Sequence, residues 1–357
     1  MRIIDRYIIK KLLTTFVFVV LIIIAVVMVI DLTEKLDKFT KYDLGVMEVL
    51  SYYGDFLPFI ASLITPITTF IAAVFVTAKL ASHSEIIAIL SGGTSFRRFL
   101  VPYIVGSSII ALTSFIFNGW IIPNSNKDRI AFEVKYIRSK YYFDERNFHI
   151  QIEPNKYLYM ESYNNNTNTG NRFTLEELDG TKLKQKLSAR TIKWDDENQK
   201  WTLINWMIRK INDDGEEISL GVRKDTTLII HPREFESDYR MYEGMTLPEL
   251  KRYITELEGR GSEGKEFYVV ERLIRFTAPF SIIILTIIGV IVSARKARGG
   301  TGFQIALGFT LSFVYIIFFM MARSIAEVNT LPPLLAVWIP NITFGLVGLL
   351  LYRTVPR

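Results

Sequence analysis

Hydrophobic and polar positions divide this chain into three blocks. Three long apolar runs come first, at 12–32, 57–81 and 100–122; a mostly polar stretch, 123–272, follows; three more apolar runs occupy 273–294, 303–323 and 334–352. Each run has the ~20 residues that a helix needs to cross ~30 Å of hydrocarbon. A soluble core helix is sometimes as apolar, but six such runs in one chain point to a bilayer. The pattern predicts an α-helical membrane protein with six transmembrane helices and one inserted domain, divided as 1–122, 123–272 and 273–357.

Inside the middle block the period changes. Residues 187–194 and 200–211 alternate as strands do, with turn chemistry in Asp195-Asp196-Glu197-Asn198 between them. A second turn, Asn212-Asp213-Asp214-Gly215, leads to short strands near 218–222 and 226–230. Upstream, 148–152 and 157–163 also read as strands, and 164–171 as a polar loop. An all-β domain is expected. Strict alternation sends Trp201, Leu203 and Met207 to one face and Thr202, Ile204, Trp206 and Ile208 to the other. Apolar groups on both faces fit two arrangements: one face on a second sheet with the other lining an apolar groove, or a two-sided core. Trp201, Leu203, Trp206 and Ile208 are the candidates for such a groove. Residues 246–258 read as a helix returning to the fourth span, with Thr246 as cap, Pro248 in the first turn and Glu249 at the third position.

Charge adds orientation. The formal net charge is +6, but acids and bases nearly balance in the inserted block and the surplus sits in short flanks. Arg2, Arg6, Lys10 and Lys11 precede the first span, Lys79, Arg97 and Arg98 lie between the second and third, Arg295, Lys296 and Arg298 follow the fourth, and Arg353 and Arg357 follow the sixth. Lys and Arg mark the cytoplasmic side, so both termini are expected there and residues 123–272 outside, in the periplasm of a two-membrane bacterium. Lys35, Lys38, Lys41 and Arg323 fall on that outer side. The basic segment 1–13 ahead of an overlong apolar run is read as an uncleaved anchor. Charge arranged this way gives no reason to expect a nucleic-acid partner.

Several chemistries have no residues to carry them. Without cysteine there is no disulfide or thiolate site. His83, His149 and His231 lack ligand-spaced companions, so no metal is expected. No phosphate-binding Gly-x-x-x-x-Gly-Lys-Ser/Thr loop occurs; Gly299-Gly300-Thr301-Gly302 lacks the lysine and reads as a flexible link. No catalytic residue is assigned, and no span carries an acid near its centre, as an ion-coupled carrier usually does. Pro58, Pro66, Pro279 and Pro340 fall inside spans, while Gly302, Ala306, Gly308, Gly345 and Gly348 allow close helix contacts.

The sharpest motif lies between the second and third spans. Ser82 and Glu85 fit a capping box, Ile86, Ile89 and Leu90 form one apolar stripe, and Gly92-Gly93 suits a helical stop. The product is a short amphipathic helix, 82–91. Spacing alone leaves two roles open: an interfacial helix with Glu85 used only for capping, or a coupling helix docked in a cytoplasmic partner.

Residues 83–98 resemble the cytoplasmic coupling segment of the LptF/LptG (YjgP/YjgQ) permeases, which export lipopolysaccharide. Asp5-Arg6-Tyr7-Ile8, Leu187-Ser188-Ala189-Arg190 before Trp194 and Trp201, and Trp338-Ile339-Pro340-Asn341 with Gly345 and Arg353 resemble that family too, as does the three-span, β-domain, three-span layout. The opening and the Ser84–Leu90 stretch look closer to LptG than to LptF. The resemblance implies one subunit of an ABC transporter permease in the bacterial inner membrane, paired with its paralogue (LptF if this is LptG) and with a dimer of an LptB-like ATPase, which would bind the ATP and Mg; this chain itself would bind no cofactor. It implies a β-jellyroll-like periplasmic domain that passes lipopolysaccharide to LptC- and LptA-like proteins. Glu85, with Ile86, Ile89 and Leu90, takes the place of the ATPase-coupling helix. Lys35, Lys38 and Lys41, and more weakly Arg323, take that of cations for lipid phosphates; ordinary interfacial anchoring is the other reading of the lysines. Two further functions remain as alternatives: a membrane-anchored periplasmic scaffold that moves nothing, and an export permease for another lipid or a lipoprotein.

Overall fold

The computed structural model describes residues 3–137, 147–180, 182–212, 215–228, 230, 232, 240–260, 265–294 and 300–353. The Asp213-Asp214 turn, His231, the basic group Arg295, Lys296 and Arg298, the link residue Gly299, and Arg2 and Arg357 lie outside them. The chain separates into a helical unit (residues 1–137, 241–251 and 266–357) and a second unit (138–240 and 252–265).

Six helices of the first unit are long and apolar enough to cross a membrane. They are α1 (Ile3–Lys41), α2 (Val46–Ser82), a composite helix Phe96–Ile137, α7 (Lys265–Ser293), α8 (Gly300–Glu327) and α9 (Pro333–Tyr352). A short α3 (Glu85–Ser91) joins α2 to the composite helix, and α6 (Leu247–Arg260) precedes α7. The composite helix is α4 (Phe96–Ile116), a π-helical turn (Phe117–Ile121), α5 (Ile122–Phe132) and a second π turn (Glu133–Ile137). Pro123, which has no N–H to give, stands just after the first π turn, and the Ile122 N–H bonds five residues back to Phe117 O. Residues 123–137 thus continue the third-span helix.

α2 is the hub of this unit. Its Phe70 and Val74 pack with Leu285 and Ile288 of α7, Tyr315 of α8 and Phe344 of α9. Its Ala72, Ala73, Val76 and Leu80 pack with Ile8 and Leu12 of α1, Phe99 and Tyr103 of α4, and Val290 of α7. Close approach falls on only part of the expected small residues. A Cβ on Gly308 or Gly348 would stand 3.2 Å from Val74 or 3.1 Å from Ile288, whereas Gly302 and Gly345 face open space and Ala306 is exposed. Several polar groups inside the bundle are paired, which hydrocarbon favours: buried Asn341 accepts from the Tyr315 hydroxyl at 3.0 Å and donates to Thr277 O at 3.0 Å, and Thr77 donates to Tyr103 at 2.9 Å.

The second unit holds one antiparallel sheet of seven described strands: β1 (Phe148–Glu153), β2 (Lys156–Met160), β3 (Ser162–Asn164), β4 (Thr169–Asp179), β5 (Lys182–Asp195), β6 (Lys200–Asn212) and β7 (Gly215–Thr226). The order is β1-β2-β4-β5-β6-β7, with β3 also paired to β4. β4 was not expected, since its polar opening residues read as loop. β7 is one strand where two short ones were expected, and residues 227 and 228 are not strand.

The four inner strands share one irregularity. In each, two consecutive residues face outward where alternation allows one: Glu161-Ser162 at the β2–β3 junction, Asn171-Arg172 in β4, Arg190-Thr191 in β5 and Ile204-Asn205 in β6. Arg172 and Asn205 take left-handed φ of 49° and 51°. The register keeps these pairs side by side, so they form a crease across the sheet. Residues on both sides of it, including Leu158, Phe173, Leu187, Ile192, Trp201 and Leu203, then point to a single core.

Candidate functional site

Helix α3 sits against the end of the bundle that carries Asp5 and Arg98. The expected capping box is absent: α2 runs on through Ser82, whose hydroxyl donates to Lys79 O at 2.8 Å, and Ser84 makes the turn with φ of 59° and no side-chain cap. Glu85 is engaged elsewhere. Its carboxylate accepts from the Tyr7 hydroxyl at 3.1 Å and lies 3.9 Å from both Lys11 Nζ and His83 Nδ1, and Lys11 also donates to Tyr7. Next to this cluster, Asp5 pairs with Arg98 at 2.6 Å and Arg97 donates to Tyr352 at 3.2 Å. The first helix, α3, the start of α4 and the end of α9 are thereby pinned together.

The apolar stripe of α3 faces the chain's own core. Ile86 is 2 % exposed among Ile8, Leu80, Phe96 and Phe99, and Ile89 and Leu90 pack on the same cluster. Ile86, Ile89 and Leu90, expected in the coupling helix, thus turn inward in this chain. Hydrophobic burial against the spans wins over exposure to a partner, and the free apolar side chain is Ile87, 58 % exposed, beside exposed Ala88. Asp5, Tyr7 and Arg98, which complete the cluster, lie in segments that carried the family resemblance, but nothing in the sequence brought them together with Glu85.

At the opposite end of the spans the three lysines separate. Lys35 is already held: its ammonium lies 2.6 Å from Asp31, 2.5 Å from the Tyr52 hydroxyl and over the Tyr52 and Phe56 rings at 4.9 and 4.8 Å. Lys38 and Lys41 are exposed, Lys41 lying 5.9 Å from the Tyr42 ring centre. From Lys35 a polar chain runs inward. The Tyr52 hydroxyl donates to Glu133 at 3.3 Å, Arg129 pairs with Glu133 at 2.8 Å, and Arg129 reaches Glu243 at 2.6 Å.

Glu243 belongs to the turn Met241–Gly244, on which three helices converge. Arg129 of α5 grips Glu243; Arg275 of α7 donates to Met245 O at 2.5 Å and Tyr242 O at 3.0 Å; Arg323 of α8 lies 5.7 Å from the Tyr242 ring centre. Each arginine also has an acid one helical turn away: Glu133, Glu271 and Glu327 respectively, at 2.8, 3.0 and 2.7 Å. Arg323, expected as a lipid cation, is thus a member of this clamp. That i,i+4 spacing of opposite charges at span ends was readable in the sequence and was missed. Beyond the turn, Glu249 accepts from the Thr246 N–H at 2.7 Å and hydroxyl at 2.8 Å, as expected of the cap, and from Lys127 at 2.9 Å. The Thr246 N–H and the Lys127 ammonium hold its carboxyl down at about 2.

In the sheet, Trp201 and Leu203 are fully buried, and Trp206 and Ile208 pack half-buried on the same cluster. Strict alternation would have split the four between two faces. The crease at Ile204-Asn205 reverses the parity and brings them together. The Trp201 indole N–H donates to Ile230 O at 2.7 Å, while the Trp206 ring lies against Gly221, where any Cβ would stand 2.6 Å from it.

Six apolar spans, with an antiparallel sheet inserted in the sequence between the third and fourth, make this a multi-pass membrane protein. A search of curated proteins returned no match. The family model described as lipopolysaccharide export system permease LptF/LptG matches residues 6–354. With that match spanning the bundle and the sheet alike, the chain belongs to the LptF/LptG family of lipopolysaccharide export permeases, which are non-catalytic transport components.

Proposed function

We propose that this chain, on the LptG side of its family, is one half of an ATP-driven permease of the bacterial inner membrane, paired with its LptF-like paralogue. Lipopolysaccharide would enter from the outer leaflet and leave through the interior of the β unit to LptC- and LptA-like β-jellyroll proteins. Both termini would be cytoplasmic and the sheet periplasmic. Moving a multi-chain lipid through water exposes apolar surface at about 0.8 kcal/mol per CH₂, so a continuous apolar lining is the physical requirement. Trp201, Leu203, Trp206 and Ile208 on one interior face support it. Lys38 and Lys41, which have no ion pair among the described residues, suit lipid phosphates, while Lys35 would have to give up Asp31 to join them. At β7, the last strand of the described sheet, exposed Ile218, Leu220 and Val222 favour addition of a partner's strand.

The observation that carries the reading is the seating of α3. Ile86 anchors it between spans, Glu85 is tied to the first helix through Tyr7, and Ile87 is left for a partner. A push on α3 by an LptB-like ATPase, which would bind ATP and Mg²⁺, reaches α1, α2 and α4 together. The test is lipid release from proteoliposomes carrying the complete complex. Glu85→Lys should abolish ATP-dependent release, and Tyr7→Phe should reduce it several-fold, with insertion and complex assembly intact. Release unchanged in Glu85→Lys would refute the coupling role.

A further inference from the structure

The crease does more than turn the sheet around its core; it also builds a depression on the outer face. Asn171 and Phe173 pair with Thr191 and Ala189, so Arg172 stands opposite Arg190, and Asn205 follows on β6 between Ile204 and Trp206. Like charges facing each other across a ladder are unfavourable, and a left-handed φ at an arginine, here 49°, is unfavourable as well. Sites where such costs coincide are commonly functional ones. Next to this row lies a 410 Å³ hollow whose polar lining includes Arg172, Arg190, Asn205, Ser188 and Thr174.

The donors there are largely uncommitted. Arg172 is paired with Glu161 at 3.1 Å. Arg190 has no ion-pair partner among the described residues, and the side chains of Ser188 and Asn205 make no hydrogen bond among them. A free guanidinium fork, a hydroxyl and an amide around a small open hollow match the oxygens of a phosphate group, which a planar fork engages through two parallel hydrogen bonds. The hollow faces away from the apolar core, so a ligand here would not travel with acyl chains through the interior. We propose that this outer hollow is an oxyanion site that takes a phosphate group, either free or carried on a lipid headgroup. The proposal stands apart from the conduit reading, because the groups it relies on (Arg172, Arg190, Ser188 and Asn205) lie outside the core cluster, although Phe173 and Ala189 of that cluster also border the hollow.

The absence of cysteine gives a clean probe. Thr191→Cys in the full chain, labelled with an environment-sensitive fluorophore and held in nanodiscs of zwitterionic lipid, is titrated with inorganic phosphate, with phosphorylated lipid A and with dephosphorylated lipid A. A saturable response to inorganic phosphate assigns the free anion; a response to phosphorylated lipid A alone assigns the headgroup. In either case Arg190→Gln should weaken binding at least tenfold. Asn205→Gly keeps the left-handed backbone without the amide and should weaken it about threefold. The proposal is overturned by a response to none of the three, by an equal response to dephosphorylated lipid A, or by unaltered affinity in a folded Arg190→Gln.

Discussion

Arg129 is 1 % exposed and carries two carboxylates, Glu133 and Glu243. Removing one member of a buried charge group leaves the others uncompensated, at a cost of about 3–5 kcal/mol. Arg129→Leu should therefore lower the unfolding midpoint sharply in detergent, and adding Glu133→Gln should recover part of the loss. An equal midpoint in Arg129→Leu would remove the clamp from the account. Gly221 makes a second case. Its missing side chain is the space the Trp206 indole fills, so Gly221→Ala should destabilise by about 1–3 kcal/mol, and the loss should shrink on a Trp206→Leu background. Both residues show where reading a sequence stops. The lysines at the end of the first span were found by type and position, but whether an ammonium is free (Lys38) or already held by Asp31 and Tyr52 (Lys35) depends on partners brought in by folding.

Among the elements, those with a local cause were the legible ones. The start of α6 follows from Thr246 and Glu249 three residues apart, with the Glu249 carboxylate reaching back to the Thr246 N–H and hydroxyl as the return half of a capping box. Its stability contribution has a definite pH sign. Glu249 titrates near 2 in the folded chain, below the ordinary 4.5, so the contribution is whole above about 4.5 and fades as pH falls toward 2. Thr246→Ala should cost about 1 kcal/mol at neutral pH, and the difference from the parent should narrow in that acid window; an unfolding series from pH 7 to pH 2.5 measures it. The cap expected at Ser82 failed for the converse reason: α2 had not yet ended, and Glu85 was drawn to Tyr7 and Lys11 across a long sequence separation. The crease was invisible because alternation assumes every residue is extended, and a left-handed Arg172 or Asn205 reverses the parity of all that follows. β4 was hidden by its Asn- and Thr-rich opening, which joins the sheet through tertiary pairing with β3 and β5.

At the scale of the molecule, the six spans and the inserted sheet were legible because membrane solvation acts on long stretches and leaves few alternatives. The proposed orientation can be checked directly in the cysteine-free background. Cysteines placed at the exposed turn positions Asn166 and Glu197 should react with a membrane-impermeant maleimide in intact cells, and one at Ser91 only after lysis. The reverse pattern would overturn the assigned sidedness and the transport reading with it. The composite helix Phe96–Ile137 bears on this scale too. Its 42 residues rise about 60 Å at 1.5 Å each, twice the ~30 Å of hydrocarbon. It starts within five residues of α3 and, under the proposed coupling, would act as a lever: a tilt of about 5° set at Phe96 would sweep Ile137 sideways by about 5 Å, the height of one helical turn.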